Sequence, residues 1–228
     1  MQKILIVEDE ANLAKGLKFN LEMENYEAHT IDTAEEALDI FMNFDMMILD
    51  IMLPKMDGIT ALKEIRKQNP KFPILILSAK KSEESIVSGL QEGADDYMTK
   101  PFSLKELLLR INRILSRQSW YNDSTKKLSS YNFSRFSIDF EAFEAKTARG
   151  HTKLTQYECF VMKYLIENKN QIVSRQELLE NVWGYESKEI ETRTVDIFIA
   201  RLRKLFENNP KNPLHIISIR GLGYKFVD

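Results

Sequence analysis

The chain has 228 residues, more than one compact domain usually holds, so its length favours two domains of about 100 to 150 residues each. Hydrophobic residues at 43% and charged residues at 29% are close to globular averages, which excludes a disordered or fibrous protein. The apolar runs are far shorter than the roughly 20 residues that span a bilayer, and the N-terminus lacks a signal-peptide pattern, so we expect a cytoplasmic protein that does not contact a membrane.

Charge is distributed unevenly between the two halves. Residues 1–118 contain 15 Lys and Arg against 20 Asp and Glu, a net charge of −5, whereas residues 119–228 contain 17 against 14, a net charge of +3. An acidic half joined to a basic half indicates that the second half binds a polyanion. The single cysteine, Cys159, excludes an internal disulfide and is interpreted as a core residue.

The first half alternates short apolar runs with helical patterns. Five strands are predicted, at residues 4–7, 27–30, 46–49, 74–77 and 97–98. Between them, apolar residues recur three and four positions apart, which predicts helices. This alternation is typical of an α/β fold with a doubly wound, five-stranded parallel sheet. Ligand chemistry in such sheets lies at the carboxyl ends of the strands.

The pattern changes after residue 117. Residues 118–129 show no regular period and are predicted to form a linker. Residues 130–228 are predicted to form a smaller α+β domain, with strands at 136–140 and 143–147 and helices at about 155–168, 174–183 and 192–207. Two final strands, at 216–219 and 224–227, flank two glycines that suit a tight hairpin tip.

Acidic residues follow two strands of the predicted parallel sheet. Glu8 and Asp9 come directly after the first strand, and Asp50 ends the third. Such a cluster requires a cation, and oxygen ligands favour Mg²⁺. Ser78 ends the fourth strand and Lys100 follows the fifth, where its charge can stabilise a phosphoryl group on Asp50. Each acid alone is equally consistent with a helix cap, so the interpretation depends on the combination.

Four segments together resemble the receiver domain of bacterial two-component response regulators: residues 6–10, 49–58, 77–79 and 93–102. The resemblance covers residues 1–117. It implies that Asp50 accepts a phosphoryl group from a sensor histidine kinase, and that Glu8, Asp9, Asp50 and the backbone carbonyl of Met52 hold Mg²⁺. It also implies that Ser78 and Tyr97 form a switch, that Lys100 pairs with the phosphoryl oxygens, and that the Lys100–Pro101 peptide is cis.

A set of charged residues on the fifth strand and its following helix forms the predicted dimer face. These residues are expected to be exposed and to pair across a two-fold axis: Asp95, Asp96, Glu106, Arg110, Arg113 and Arg117. Related proteins usually place a basic residue on the fourth helix opposite Glu106, whereas Ile86 occupies that position here. This departure weakens the expectation of a homodimer through this face, although Ile86 can supply an apolar contact.

The last long helix of the second half has two distinct faces. Val195, Ile199, Leu202 and Phe206 form a buried stripe. The opposite side and its flanks carry the residues expected to enter a major groove of double-stranded DNA: Arg193, Ile197, Ala200, Arg201, Arg203 and Lys204. In this interpretation arginines bind guanine or phosphates, and Ile197 and Ala200 contact thymine methyl groups. A solvated surface helix is the alternative.

Six segments of the second half resemble the winged helix-turn-helix domain of the OmpR/PhoB family: residues 154–158, 173–179, 182–184, 193–196, 201–205 and 219–224. The resemblance implies that residues 192–206, with Thr194, form the recognition helix. It also implies that Arg220 lies on a wing that enters a minor groove, and that Ser218 and Tyr224 hold phosphates. The loop at residues 183–191 is a candidate contact for RNA polymerase. Phe198 replaces a histidine common in relatives and is expected to extend the buried stripe.

The expected function is therefore a phosphorylation-controlled transcription regulator, not an enzyme, that dimerises and binds repeated DNA half-sites. The alternative is a regulator of the same fold that binds DNA independently of phosphorylation. A phosphatase with an aspartate nucleophile is disfavoured, because Met52 occupies the position of the acid that would protonate the leaving group.

Overall fold

The computed structural model describes residues 1–123, 128–147, 150–184 and 193–228, without the side chains of residues 117–123 and 193. The chain divides into two compact units, Met1–Asn122 and Asp123–Asp228. None of the helices in these described ranges is long and apolar enough to cross a membrane.

The first unit is built on a parallel sheet of five strands: β1 (Lys3–Val7), β2 (Glu27–Ile31), β3 (Met46–Leu49), β4 (Ile74–Ser78) and β5 (Asp96–Thr99). The strand order is β2-β1-β3-β4-β5 and every pairing is parallel, so the predicted fold class is confirmed. The strands β1, β3 and β4 are almost wholly buried, as expected when helices cover both faces of the sheet.

Five helices connect and cover these strands: α1 (Ala11–Met23), α2 (Ala34–Ile40), α3 (Gly58–Gln68), α4 (Glu83–Gln91) and α5 (Leu104–Asp123). A 3-10 turn at Phe41–Asn43 follows α2. The helix α5 extends to Asp123, so the expectation of an irregular segment from residue 118 is wrong for residues 118–123. The helical backbone of α5 continues for eight residues beyond Leu115, the last leucine or isoleucine of its apolar stripe.

Within its described residues, the second unit has two antiparallel sheets and three α-helices. The first sheet joins β6 (Ser130–Phe133), β7 (Phe136–Asp139), β8 (Glu144–Thr147) and β9 (Gly150–Lys153) in chain order, and the second has the order β10-β12-β11. The remaining elements, in chain order, are α6 (Gln156–Glu167), β10 (Ile172–Val173), α7 (Arg175–Leu178) with a π-helical turn at Leu179–Trp183, α8 (Arg193–Phe206), β11 (Ile216–Ile219) and β12 (Gly223–Phe226). The short strands β6, β9 and β10 were not predicted.

Local signals in the sequence fix where two helices of the second unit begin. The Thr155 side chain accepts a hydrogen bond from the Glu158 amide, and the Glu158 carboxylate accepts one from the Thr155 amide, which is a complete capping box. Ser174 and Glu177 form the same arrangement at α7. The turn after α7 places Trp183 in the core, stacked on Tyr157 with ring centroids 5.3 Å apart.

A buried ion pair lies beside the N-terminal ends of β4 and β5 in the first unit. The Arg66 side chain, on α3, donates to Asp95 Oδ2 at 2.9 Å and to the backbone oxygen of Gly93 at 2.7 Å. The same carboxylate oxygen accepts from the Ile74 amide at 2.7 Å. One guanidinium therefore connects the end of α3 with the starts of β4 and β5.

We predict that Arg66→Ala destabilises the first unit by about 3 to 5 kcal/mol, because it leaves the Asp95 carboxylate buried without its cation. The matched control is Lys67→Ala, since Lys67 is the next residue and pairs with Glu64 in solvent. That variant should change stability by less than about 1 kcal/mol. Native-state hydrogen exchange in β4 and β5 measures both effects, and equal protection in the two variants would contradict the assignment.

Candidate functional site

The carboxylate of Asp50 lies at the carboxyl edge of the parallel sheet and is only 4% exposed. Its Oδ2 accepts a hydrogen bond from Lys100 Nζ at 2.6 Å, and its Oδ1 accepts one from the Met52 amide at 2.8 Å. Lys100 Nζ also donates to Glu8 Oε2 at 2.6 Å. The residues that follow β1, β3 and β5 thus bring the carboxylates of Glu8 and Asp50 and the ammonium of Lys100 into contact. This contact is expected, because the carboxyl ends of parallel strands lie at the same edge of the sheet.

Three carboxylates meet at this edge. Glu8, Asp9 and Asp50 each offer one oxygen, and these oxygens all lie within 4.8 Å of one another. Glu8 and Asp50 are buried whereas Asp9 is exposed. With Lys100 included, three negative charges face one positive charge, so the site carries a net charge of −2 that a divalent cation would neutralise. The residues present therefore fit Mg²⁺, whose preferred ligands are carboxylate and carbonyl oxygens.

Burial and pairing act on the titration of this cluster in opposite directions. Burial raises the pKa of Glu8 above its ordinary value, against the lowering effect of Lys100. For Lys100, burial favours the neutral amine, but the hydrogen bonds and charges of Asp50 and Glu8 raise its pKa overall. Lys100 is consequently an ammonium at neutral pH, and it is paired with both Asp50 and Glu8.

The backbone of Asp50 packs closely against Gly58, the first residue of α3. A Cβ atom at Gly58 would lie 2.2 Å from the backbone oxygen of Asp50 and 2.7 Å from Cα of Ile51. The neighbouring Asp57 caps α3 by accepting from the amides of Ile59 and Thr60. Gly58 belongs to the sequence motif at residues 49–58. The motif does not reveal this contact, because a close approach of two backbone segments leaves no local signal in the sequence.

Ser78 and Tyr97, the predicted switch residues, are both covered. Ser78 is 0% exposed and Tyr97 is 7% exposed. The Tyr97 hydroxyl donates to the backbone oxygen of Lys80 at 2.8 Å, in the loop after β4, and burial raises the pKa of that hydroxyl. The Lys100–Pro101 peptide is cis, as predicted. In this structure the Tyr97 ring is turned inward, against the loop that follows Ser78.

The predicted dimer face differs from expectation in its charged residues. Asp95, Asp96 and Arg110 are only 2%, 3% and 8% exposed, so the prediction that they lie free on the surface is wrong. Asp95 turns toward Arg66, as described above, and Arg110 donates to Asp96 Oδ2 at 2.5 Å and to Glu106 Oε1 at 2.6 Å. Ile86 and Arg113 are half-buried, and the side chain of Arg117 lies outside the described residues. The sequence could not reveal the pairs Arg66–Asp95 and Arg110–Asp96, because each joins residues that are distant along the chain.

The helix α8 is covered on more of its circumference than the sequence indicated. Val195, Ile199, Leu202 and Phe206 are buried as predicted, and Phe198 extends this stripe at 1% exposure. Ile197, however, is 7% exposed, so its predicted position on the outer face is wrong. The ring centroid of Phe198 lies 5.2 Å from that of Trp183 and 6.1 Å from that of Tyr157. These contacts explain why α8 presents a wide apolar surface to the core.

Two arginines predicted to face DNA have partners within the second unit. Arg201 pairs with Glu158 of α6 at 2.7 Å, and its guanidinium lies over the Phe198 ring. Arg203 donates to the backbone oxygen of Ile216 at 2.9 and 2.6 Å and to Ser218 Oγ at 2.9 Å. These contacts hold α8 against α6 and β11, so both arginines have a structural role.

Tyr224, which the resemblance assigns to a phosphate contact, is buried at 4% exposure. Its hydroxyl donates to Asp196 Oδ1 at 2.5 Å and accepts from Arg175 Nη2 at 3.1 Å, and Arg175 Nε donates to the same Asp196 oxygen at 2.7 Å. Burial, together with Asp196, raises the pKa of Tyr224 to about 12. This network joins α7, α8 and β12. No local pattern in the sequence places Arg175 beside Asp196, because the two residues lie 21 positions apart.

The outer surface of the second unit still offers polar groups. Lys204, Ser218 and Arg220 are exposed, and Thr194 and Ala200 are half-buried on α8. The side chain of Arg193 and the loop at 185–191, which includes most of the candidate polymerase contact, lie outside the described residues. Arg220 projects from the turn between β11 and β12, where the hairpin forms a wing beside α8.

Comparisons with known proteins agree with this arrangement. Residues 4–112 match the response regulator receiver domain, and residues 149–226 match the family described as transcriptional regulatory protein, C terminal. The chain is 40% identical to the alkaline phosphatase synthesis transcriptional regulatory protein PhoP of Bacillus subtilis, over 100% of this chain and 97% of that one. The chain belongs to the OmpR/PhoB family of response regulators.

Further relatives support this placement. The regulator is 39% identical to the response regulator ArlR of Staphylococcus aureus, over 98% of this chain and 99% of that one. Among solved structures it is similar to a RitR mutant, with a TM-score of 0.81 and 25% identity over the full length of both chains. It is also similar to the response regulator DrrB of Thermotoga maritima, an OmpR/PhoB homologue, with a TM-score of 0.51 and 32% identity over the full length of both chains. PhoP, ArlR and DrrB are named as transcriptional or response regulators.

For Gly58→Ala we predict a loss of about 1 to 3 kcal/mol, because the added methyl group meets backbone atoms that cannot move without displacing Asp50. The matched control is Gly16→Ala in α1, where an added Cβ meets nothing within 4 Å and should stabilise the helix by about 0.5 to 1 kcal/mol. Hydrogen exchange in the first unit measures both changes. A neutral Gly58→Ala variant would show that the two backbones do not touch.

Proposed function

We propose that this response regulator is controlled by phosphorylation of Asp50, which accepts a phosphoryl group from a sensor histidine kinase and thereby promotes binding to double-stranded DNA. The observation that carries the proposal is the Asp50 carboxylate, almost completely buried, facing the Lys100 ammonium at 2.6 Å beside two further acids. Since a sensor kinase and the chromosome are both reached from the cytoplasm, the protein acts there.

The chemistry follows from the groups around Asp50. A carboxylate oxygen of Asp50 forms a bond to phosphorus as the bond between phosphorus and the imidazole nitrogen of the donor breaks, and the electron pair of that bond stays on the imidazole. Mg²⁺ held by Glu8, Asp9, Asp50 and the backbone carbonyl of Met52 would supply positive charge to the phosphoryl oxygens. Lys100 pairs with one of these oxygens, since its ammonium already lies against Asp50.

The phosphoryl group then biases the loop after β4. It adds roughly two negative charges and three acceptor oxygens within reach of that loop. The Ser78 hydroxyl donates to one of them, and the inward Tyr97 ring follows the loop through its bond to Lys80. We propose that this rearrangement promotes a homodimer through α4, β5 and α5, in which Ile86 supplies apolar contact. Glu106 and Arg110, which pair within one chain here, would have to exchange partners across the two-fold axis.

A dimer brings two basic units to neighbouring half-sites, which raises the effective concentration of the second unit on DNA. We propose that α8 enters the major groove with Thr194, Ala200 and Lys204 outermost and that Arg220 of the wing enters the minor groove. The exposure of Lys204 and Arg220 supports these roles. RNA polymerase remains a proposed partner of the loop that follows Trp183.

The phosphoacceptor assignment predicts that Asp50→Ala abolishes incorporation of phosphate from radiolabelled acetyl phosphate in the presence of Mg²⁺. Asp57→Ala is the control, because Asp57 is a nearby exposed carboxylate that caps α3 and should leave incorporation intact. Retained labelling in Asp50→Ala would refute the assignment. If Asp50→Ala and the wild type bind DNA equally in every condition, the regulator works independently of phosphorylation.

The position of Met52 predicts that the acyl phosphate hydrolyses slowly. Met52 lies two residues after Asp50, is 52% exposed, and carries no group that orients water. We expect Met52→Asn to accelerate loss of label by several-fold, because a carboxamide can position the attacking water. Met42→Asn, at a methionine that is 63% exposed, should leave the rate unchanged. Rapid decay of the wild-type label would contradict this account.

The two types of arginine in the second unit should behave differently on substitution. Arg220→Ala removes an exposed cation, so it should weaken DNA binding, reduce the salt dependence of log K by about one, and leave stability unchanged. Arg203→Ala should instead lower stability, because it removes the donors to Ile216 and Ser218. Titrations at several salt concentrations, combined with unfolding curves, separate the two. Equal losses of stability would contradict the division.

A further inference from the structure

We infer that Gly89, on the buried side of α4, is a positioning residue for the Tyr97 switch, because it leaves the space in which the inward Tyr97 ring lies. The inference deepens the proposed function and rests on it only for the consequence in the dimer. Gly89 was not singled out in the sequence, and no phosphoryl or DNA contact requires it. The missing side chain leaves a shallow depression on the surface of α4 that faces Ile76 of β4 and Tyr97 of β5.

The evidence is the distance at which the ring approaches the helix. A Cβ atom built at Gly89 would lie 3.0 Å from Cδ2 and 3.1 Å from Cε2 of Tyr97, and 2.7 Å from Cδ1 of Ile76. Such separations are shorter than normal carbon contacts of about 3.5 to 4.0 Å. The Tyr97 ring therefore packs directly on the bare Cα of Gly89, and any larger residue would require the ring or the helix to move.

The ring has little freedom to move while it stays inward. Its hydroxyl donates to the backbone oxygen of Lys80 at 2.8 Å, and the side chain is 7% exposed. Ile76, which lies on the other side of the space, is 0% exposed in the middle of β4. The inward ring is thus bounded by α4, β4 and the loop after Ser78. With no side chain at position 89, all three pack around the ring without displacing it.

It follows that the ring position and the position of α4 are coupled. If the Tyr97 ring turns outward, the space beside Gly89 is emptied and α4 can approach β4. When the ring turns inward, α4 must stand at the distance seen here. Because Ile86 lies on the same helix, this coupling gives a steric route from the loop near Asp50 to the proposed dimer face.

The test is Gly89→Ala in a background of Ile76→Val. The valine removes Cδ1, the nearest atom, so the remaining close contacts of the added methyl group are those with the Tyr97 ring. Ser88→Ala is the matched control, since Ser88 is the exposed neighbour in α4. The full-length protein is labelled with 3-fluorotyrosine, and the fluorine signal of Tyr97 is assigned as the one that Tyr97→Phe removes.

We expect Gly89→Ala to increase the relaxation of the Tyr97 signal by a soluble neutral gadolinium chelate at least threefold, as the ring is displaced toward solvent. Ser88→Ala should not change it. Phosphate incorporation at Asp50 from acetyl phosphate should stay within about a factor of two of the background protein. The concentration at which the beryllofluoride complex dimerises should rise by about tenfold.

An unchanged Tyr97 signal in Gly89→Ala would overturn the inference, whatever the protein does with phosphate. A displaced ring with unchanged dimerisation would overturn the coupling to the dimer face. Failure of the background protein to incorporate phosphate would instead count against the proposed function, while the fluorine measurement would still decide the role of Gly89. We also expect Gly89→Ala to lower the hydrogen-exchange protection of β4 and β5. Adding Tyr97→Leu should restore it, because the close contact with the ring is then removed, whereas a general misfolding would persist.

Discussion

The contact of one lysine with two acids organises the first unit. Lys100 Nζ lies 2.6 Å from both Glu8 and Asp50, so the ends of β1, β3 and β5 are drawn together by a single ammonium. With Asp9 included, one positive charge is insufficient for three negative charges, and the site retains a net charge that attracts a divalent cation. The same ammonium is close enough to pair with a phosphoryl group on Asp50. The balance of charge among these four side chains therefore defines the chemistry of this edge.

Several features of the fold serve to hold that edge at a fixed geometry. Gly58 allows the start of α3 to support the backbone of Asp50, and Gly89 allows α4 to receive the Tyr97 ring. The buried pair of Arg66 and Asp95 fastens the opposite ends of β4 and β5. In the second unit, the Asp196 carboxylate accepts hydrogen bonds from Arg175 and Tyr224 and thereby connects α8 with α7 and the wing. Polar networks thus fix the positions of the elements that the proposed function uses.

The sequence predicted the features that depend on period and order along the chain. The strands β1, β3 and β4 were predicted because their apolar runs are unbroken, and the acidic edge was predicted because parallel strands end together. Pairings between distant residues could not be predicted. Asp95 and Arg110 were expected on the surface, and only the packing of α3 and α5 gives each a buried partner. Ile197 was assigned to the outer face because a helical projection cannot show how far the core extends around α8.

The most direct test of the account is the solution mass of the full-length protein, measured by light scattering with and without Mg²⁺ and beryllofluoride, in the wild type and in Asp50→Ala. The account predicts a monomer that becomes a dimer only when Asp50 and both additives are present. An unchanged mass of the wild type, or a dimer that forms equally in Asp50→Ala, would contradict control of this regulator by its buried carboxylate.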